Sequence, residues 1–371
     1  MPDKRVLLMY IHQYSGHHVA ALSLKKAFES VAPGTRCDLV DEIRYAHPLL
    51  ERFIHNAYLQ IVQRSPRIWR ALYDNPDTLK VTQRLRRIIN HSHSVKFNKL
   101  MEKLRPDAIV CTQAFPCGIA SYAKAVFKSR VPVYGVLTDY MPHAYWPTRD
   151  VDRYFVATQE AKEALSVNGV SPDRVSVTGI PIDFECVKPA NGIPRLARAY
   201  CPIVLVMGGS QGLGPIPQTL QALDRMTGEF EVKVLTGRNS RLYKRLLETQ
   251  KKYRKKISVY PYLNDITTFI REAAVIISKP GGLTTAHALA AGVPIVFINP
   301  IPGQEAKNAA ILLKYRAGLE AKAPSEAAVL VSGLLSDPDK IPGLSAGMAT
   351  LAKPRASTQI AETVMKGEAA I

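Results

Sequence analysis

Two doubly wound α/β domains in tandem are what this 371-residue sequence predicts, and three observations predict them. Short apolar runs alternate with helical stretches, the pattern of a parallel sheet covered by helices. The alternation starts afresh after a breaker cluster, Pro189, Gly192, Pro194 and Pro202, which reads as an interdomain linker over Lys188 to Pro202. The first apolar run of the second half leads straight into Gly208-Gly209-Ser210-Gln211-Gly212. That is the first βα turn, where doubly wound folds bind phosphate. The chain is long enough for two domains of ordinary size. The expected division is 1–190, 200–350 and a closing stretch, 351–371, carrying the last helix.

Each element follows from its residues. Val6 to Ile11 is apolar and forms the first expected strand; His12 to His18 is the loop after it and Val19 to Ser30 the first helix. Cys37 to Val40 is the second strand. Strand-like runs return at Ala108 to Cys111, Val133 to Leu137, Arg153 to Val156 and Val175 to Val177. Helical stretches such as Ser121 to Lys128 and Gln159 to Asn168 separate them. In the second half, Ile203 to Met207, Val232 to Leu235, Ile257 to Tyr260, Val275 to Ile277 and Ile295 to Ile298 continue as strands. Arg44 to Leu104 differs: it is helical in pattern, with 12 Lys/Arg against 4 Asp/Glu, and Tyr58, Trp69, Tyr73 and Phe97 stand among the charges. Such a block is either a solvated helical face or an interfacial segment docking on anionic lipid.

Formal net charge is +18, and a globular protein with that excess seeks anionic partners: phosphates, nucleic acid or an anionic membrane. No nucleic-acid-binding motif is present, which places nucleic acid last. Five scattered Cys without CxxC spacing fit a reduced, cytoplasmic compartment and no structural metal. No apolar run approaches the length of a membrane span, and the N-terminus goes directly into a strand without a signal peptide. The expectation is surface attachment to a membrane.

The richest stretch is SKPGGLTTAHALAAGVPIVFINPIPGQEAKN, Ser278 to Asn308. A strand, a Gly-Gly turn at Gly281-Gly282 and a helix-like segment, Ala286 to Ala291, gather free backbone N–H groups and a positive helix end. That is an anion site, with diphosphate its usual occupant. One βα unit later comes a polar cluster, Gln304, Glu305 and Asn308. Phosphate cradle plus hydroxyl-binding cluster suits a nucleotide-sugar. In the first half, Tyr14-Ser15-Gly16-His17-His18 follows the first strand, where a doubly wound fold faces its ligand crevice. A histidine there suits a general base. Asp139, His143 and Trp146 share one loop after a buried strand. Asp139 either orients an imidazole or takes a proton itself, or merely caps a helix; Trp146 serves the site or packs.

KPGG, a small helix and PxPGQExxN together resemble the donor site of glycosyltransferase family 28. Within it the sequence is most similar to the monogalactosyldiacylglycerol synthases and the processive diacylglycerol glucosyltransferases, from about Val6 to Gly318. The resemblance implies the GT-B fold, two Rossmann-like domains with the active site in the cleft, and a UDP-sugar donor bound mainly by the C-terminal domain. It places Gly208, Gly209 and Ser210 at phosphate or the transferred sugar, and the backbone near Leu263, in YPYLND, at uracil. Gly281, Gly282, Leu283 and Thr284 meet the diphosphate. Lys279 and the helix N-terminal amides balance leaving-group charge. Gln304 and Glu305 meet sugar hydroxyls, and Asn308 assists. The family's Gly-x-Gly-His register favours His17 over His18, and its TD(F/Y)xxHxxW segment matches at Thr138 to Trp146. Two positions depart. Tyr14 stands where the family has its first Gly, and His287 where it has a ribose-binding Glu.

The implied activity is inverting transfer of a hexose from UDP-glucose or UDP-galactose to a diacylglycerol-type lipid. Its expected location is the inner face of the cell membrane, attached through the anionic surface, with no cofactor beyond the donor substrate and no metal. The alternatives are a different acceptor, such as a lipid-linked peptidoglycan precursor or a small molecule, and a non-catalytic nucleotide-sugar-binding protein.

Overall fold

The computed structural model describes residues 4–46, 91–146, 150–183, 201–337 and 343–367. Most of the basic block, with Tyr58, Trp69 and Tyr73, and nearly all of the linker lie outside the described residues. The chain divides into two units: Met1–Asp183 with Pro302–Gln304 and Arg355–Ile371, and Phe184–Ile301 with Glu305–Pro354.

The first unit is a six-stranded parallel sheet of β1 (Arg5–Tyr10), β2 (Arg36–Asp41), β3 (Ala108–Cys111), β4 (Val133–Val136), β5 (Arg153–Val156) and β6 (Val175–Val177). Their order is β2-β1-β3-β4-β5-β6. β1, β3, β4 and β5 are buried almost throughout, which is why they read as unbroken apolar runs. The chain winds outward from β1 to β2 and then returns to β3 on the other side. The loops after β1 and β3 therefore part and leave a crevice at the strands' C-terminal ends.

The second unit repeats the plan. β7 (Ile203–Met207), β8 (Glu231–Leu235), β9 (Ile257–Tyr260), β10 (Val275–Ser278), β11 (Ile295–Ile298) and β12 (Leu319–Ala321) form a parallel sheet. The order is β12-β11-β10-β7-β8-β9, with its reversal between β7 and β10. The two Gly-rich stretches, 208–212 and 281–282, follow those two strands. β12 has no counterpart among the expected strands: it is a three-residue edge strand, Leu-Glu-Ala, too short and too polar to announce itself.

Three helices begin earlier than their periodicity indicates: Ala114–Phe127, expected from Ser121, and two at a candidate site. Gly16–Val31 starts where the Ser15 side chain accepts the His18 N–H, so His17 and His18 lie in its first turn and not in the preceding loop. Gly282–Ala290 starts at the Gly-Gly turn itself. The closing helix, Ala356–Lys366, belongs to the first unit and buries Ile360, Ala361, Val364 and Met365 against Leu24, Phe28 and the sheet. Ser357 Oγ donates to the Ile182 carbonyl at 2.7 Å and Lys4 Nζ to that of Met365 at 2.7 Å. The boundary falls at Arg355 rather than 351. Helix Leu344–Leu351 stays in the second unit, where Gly347 rests on the Tyr315 carbonyl so closely that a Cβ would lie 1.9 Å from it. Among the described residues no helix is long and apolar enough to cross a membrane.

Ile360 is fully buried under the first sheet. Ile360→Ala should cost about 2–5 kcal/mol in urea unfolding. A loss under about 1 kcal/mol would show that the closing helix does not brace the first unit.

Candidate active site

In the first unit, β1 and β3 bring their following residues together across the reversal of strand order. His17 Nδ1 lies 2.9 Å from the Thr112 carbonyl, just past β3, and 2.9 Å from Thr138 Oγ1, just past β4. The Thr112 hydroxyl donates back to the His17 carbonyl at 2.9 Å. A carbonyl only accepts, so Nδ1 carries the proton and Nε2 keeps its lone pair. Burial pushes the imidazole pKa down to about 4, against a smaller upward pull from the Thr112 bond. The first turn of a helix disfavours a cation further. His17 is thus a neutral imidazole of fixed tautomer with its basic nitrogen free of this network.

His18 is placed differently. Its ring packs on Tyr10 with centroids 4.6 Å apart, and Nδ1 accepts a long hydrogen bond, 3.4 Å, from the Tyr14 N–H. It steadies the loop. Tyr14 has φ 73°, the left-handed region that favours glycine. The family's Gly at this point therefore relieves a backbone constraint. Here Tyr14 bears roughly 1–2 kcal/mol of strain beside His17.

The loop after β4 divides its residues between roles. Asp139 is 92% buried and sits next to Thr138 in sequence; its carboxylate accepts from the Gln304 side-chain amide, a residue grouped with this unit. His17 is oriented by Thr112 and Thr138, and the Asp139 charge acts on Tyr140, whose pKa is raised first by burial and then by that carboxylate. Trp146 packs: it is buried in the core, edge-on to Tyr154, whose hydroxyl donates to the Trp146 carbonyl at 2.8 Å. The His143 ring lies 5.9 Å from that of Trp146.

In the second unit, the Gly282–Ala290 helix opens with Gly281 as its N-cap, without a side-chain cap. The amides of Gly282, Leu283 and Thr284 occupy the first turn, where a helix has no partners of its own to offer. Gly281 has an ordinary φ of −71°, and a Cβ built on it would meet nothing within 4 Å. The fold does not require glycine there; the open space beside the amides is where an anion fits. Gly209, across the reversal, has φ 66°, and a Cβ there would strike Lys279 Cε at 2.8 Å. Its bareness lets the Lys279 arm cross the turn. Ser210 follows, half-buried.

Three polar residues assigned to sugar contact have partners in the protein. Glu305 is buried; its Oε1 takes the Lys279 ammonium at 2.5 Å and its Oε2 the Ile301 N–H at 2.9 Å. Asn308, fully buried, donates to the Pro280 carbonyl at 3.0 Å and braces the KPGG turn. Gln304 opens the same helix. His287 is buried one and a half turns into its helix, with Nδ1 2.8 Å from the Leu283 carbonyl. As at His17, the carbonyl only accepts, so Nδ1 carries a proton. Leu263 lies half-buried in the loop after β9. Thr138 opens the TD(F/Y)xxHxxW-like segment, whereas the positioning residue Thr112 carries no motif; its one signal is a threonine directly after a buried strand.

Residues 17–182 match the monogalactosyldiacylglycerol (MGDG) synthase family and residues 203–329 the glycosyltransferase family 28 C-terminal domain. Curated relatives called processive diacylglycerol beta-glucosyltransferase, from Bacillus cytotoxicus and Bacillus mycoides, are each 28% identical over 98% of this chain and 94% of their own. Among solved structures, Acinetobacter baumannii MurG aligns over 98% of this chain and 100% of its own, with TM-score 0.66 and 17% identity. Neisseria meningitidis UDP-GlcNAc 2-epimerase bound to UDP-GlcNAc aligns with TM-score 0.61 and 13% identity over 98% and 100%. Both likenesses speak for the fold alone, which is GT-B. The chain belongs to glycosyltransferase family 28, in the group of the monogalactosyldiacylglycerol synthases and processive diacylglycerol glucosyltransferases.

Proposed function

We propose that this enzyme transfers a hexose from UDP-glucose or UDP-galactose to the free hydroxyl of diacylglycerol, inverting the anomeric centre. We place it at the inner face of the cell membrane, held peripherally. The observation that carries the reading is His17: a neutral imidazole whose tautomer is fixed by a backbone carbonyl, at the strand-order reversal of the first sheet. Its Nε2 takes the proton from the acceptor hydroxyl as the oxygen attacks the anomeric carbon. Asp139 works on the same acceptor side. As the glycosidic bond to UDP breaks, the charge growing on the diphosphate meets the Gly282–Thr284 amides and the Lys279 ammonium. Glu305 holds Lys279 in place through the 2.5 Å ion pair. His287 accepts from a ribose hydroxyl through Nε2, doing with a neutral lone pair what the family's Glu does with a carboxylate. The backbone near Leu263 meets uracil. UDP release, measured for each UDP-hexose with and without diacylglycerol, tests the reading. Release that needs a different acceptor, or none, overturns it.

Several variants separate the two halves of the chemistry. His17→Ala should lower turnover by about 10² to 10⁴, the range for a lost general base, with UDP affinity unchanged; Asp139→Ala should act in the same direction. A His18→Ala variant slower than His17→Ala would contradict the assignment.

The pH profile follows from the direction of the shift. Because the His17 pKa is lowered to about 4, its base form persists well below the usual 6.5. The acid limb of kcat/KM should therefore lie below 6.5, and a limb at or above that value argues against His17.

Gly281→Val should leave the fold intact, since nothing stands within 4 Å of its Cβ, yet obstruct the anion cradle. Calorimetric UDP affinity should fall, and unchanged affinity would remove the diphosphate from this turn. For His287→Glu, UDP binding should hold or strengthen, because a carboxylate makes charge-assisted bonds to the diol. Weaker binding with the fold intact would mean that His287 faces an anion.

A further inference from the structure

The second unit carries a charged face that the donor chemistry leaves unused. From Arg238 to Lys256 the sequence holds nine Lys or Arg and a single acid, Glu248. The segment comprises helix Ser240–Thr249, a single 3-10 turn Gln250–Lys252 and the lead into β9. Leu246 points into the core at 2% exposure, while Arg241, Lys244, Arg245, Lys251 and Lys252 are exposed. Spacings of three and four put Arg241, Lys244 and Arg245 on one side of the helix. Leu247, 38% exposed, stands among them.

Other cations of the stretch serve the fold. Lys256 pairs with Glu231 at 2.6 Å, Arg254 lies 3.9 Å from Asp224, and Lys255 covers the Phe230 ring at 4.6 Å. The five named above make no ion pair among the described residues. Lys251 and Lys252 follow a helix C-terminus, where the dipole favours cations. Arg241 lies in the first turn of the helix, at the end the dipole makes unfavourable, and Arg241 and Arg245 repel each other at i,i+4. Local stability does not explain them, whereas an external anionic surface does.

We propose that this face docks on an anionic bilayer, with Leu247 entering the headgroup layer and the arginine and lysine heads among the lipid phosphates. The proposal rests on the reading that the acceptor is a bilayer lipid. A bilayer suits the face better than RNA does: its exposed apolar group is a leucine, and Tyr243 and Tyr253 are half-buried, so no aromatic platform stands open for bases.

The test is co-sedimentation with phosphatidylglycerol–phosphatidylcholine vesicles and with phosphatidylcholine alone. It compares wild type with a variant carrying Gln for Arg241, Lys244, Arg245, Lys251 and Lys252. Partition onto the anionic vesicles should fall by about tenfold or more. Calorimetric UDP affinity and turnover on detergent-dispersed diacylglycerol should not change, which shows the variant folded. An Arg241→Lys, Arg245→Lys variant should bind like wild type. The proposal is overturned if the Gln variant partitions as wild type does, if wild type does not prefer anionic vesicles, or if it binds a single-stranded RNA oligonucleotide in preference to them. Failure of wild type to glycosylate detergent-dispersed diacylglycerol would instead strike the acceptor assignment, since sedimentation reads the face without turnover.

Discussion

The hydrogen bond from His17 Nδ1–H to the Thr112 carbonyl is the interaction on which the proposed acceptor chemistry depends. It joins the first turn after β1 to the end of β3, across the one place in the sheet where adjacent strands are not wound consecutively. A carboxylate in that role would orient the ring but also favour the imidazolium. A carbonyl orients it with a much weaker pull, so burial wins and the pKa falls to about 4. Linkage gives the consequence for stability. With the folded pKa below the unfolded value of about 6.5, the contribution of His17 is fully present above 6.5 and is lost as pH falls toward 4.

The second unit uses backbone in the same way, now with N–H groups. A helix that begins at the Gly-Gly turn presents its first amides to open space, and a charged arm, Lys279, is laid across Gly209 and held by Glu305. His287 repeats part of the device of the first unit: a carbonyl one turn back accepts from Nδ1 and orients the ring. Both departures from the family pattern thus have a physical content. Tyr14 supports a left-handed backbone at a cost, and His287 stands, held by the Leu283 carbonyl, where the family has a carboxylate.

The strands of both sheets were legible because parallel strands buried on both faces are short, apolar and bounded by breakers. β12 was not, since an edge strand of three residues carries no pattern. The early helix starts at the two candidate sites were missed for a common reason. Periodicity marks the apolar face of a helix, whereas its first turn is set by a cap, Ser15 in one case and a bare Gly281 in the other. Glycine turns and candidate histidines could be named from sequence. Thr112 could not, because its contribution to His17 is a carbonyl that any residue possesses. The Lys279–Glu305 pair, 26 residues apart, becomes visible only once β10 and β11 lie side by side.

The proposed acceptor activation stands or falls on the protonation of one ring. ¹⁵N NMR of the histidine-labelled enzyme near neutral pH, with His17 assigned by comparison with His17→Ala, reads that state directly. A neutral ring bearing its proton on Nδ1, with an unprotonated Nε2, is the expected result. A neutral ring protonated on Nε2, or an imidazolium, would contradict it.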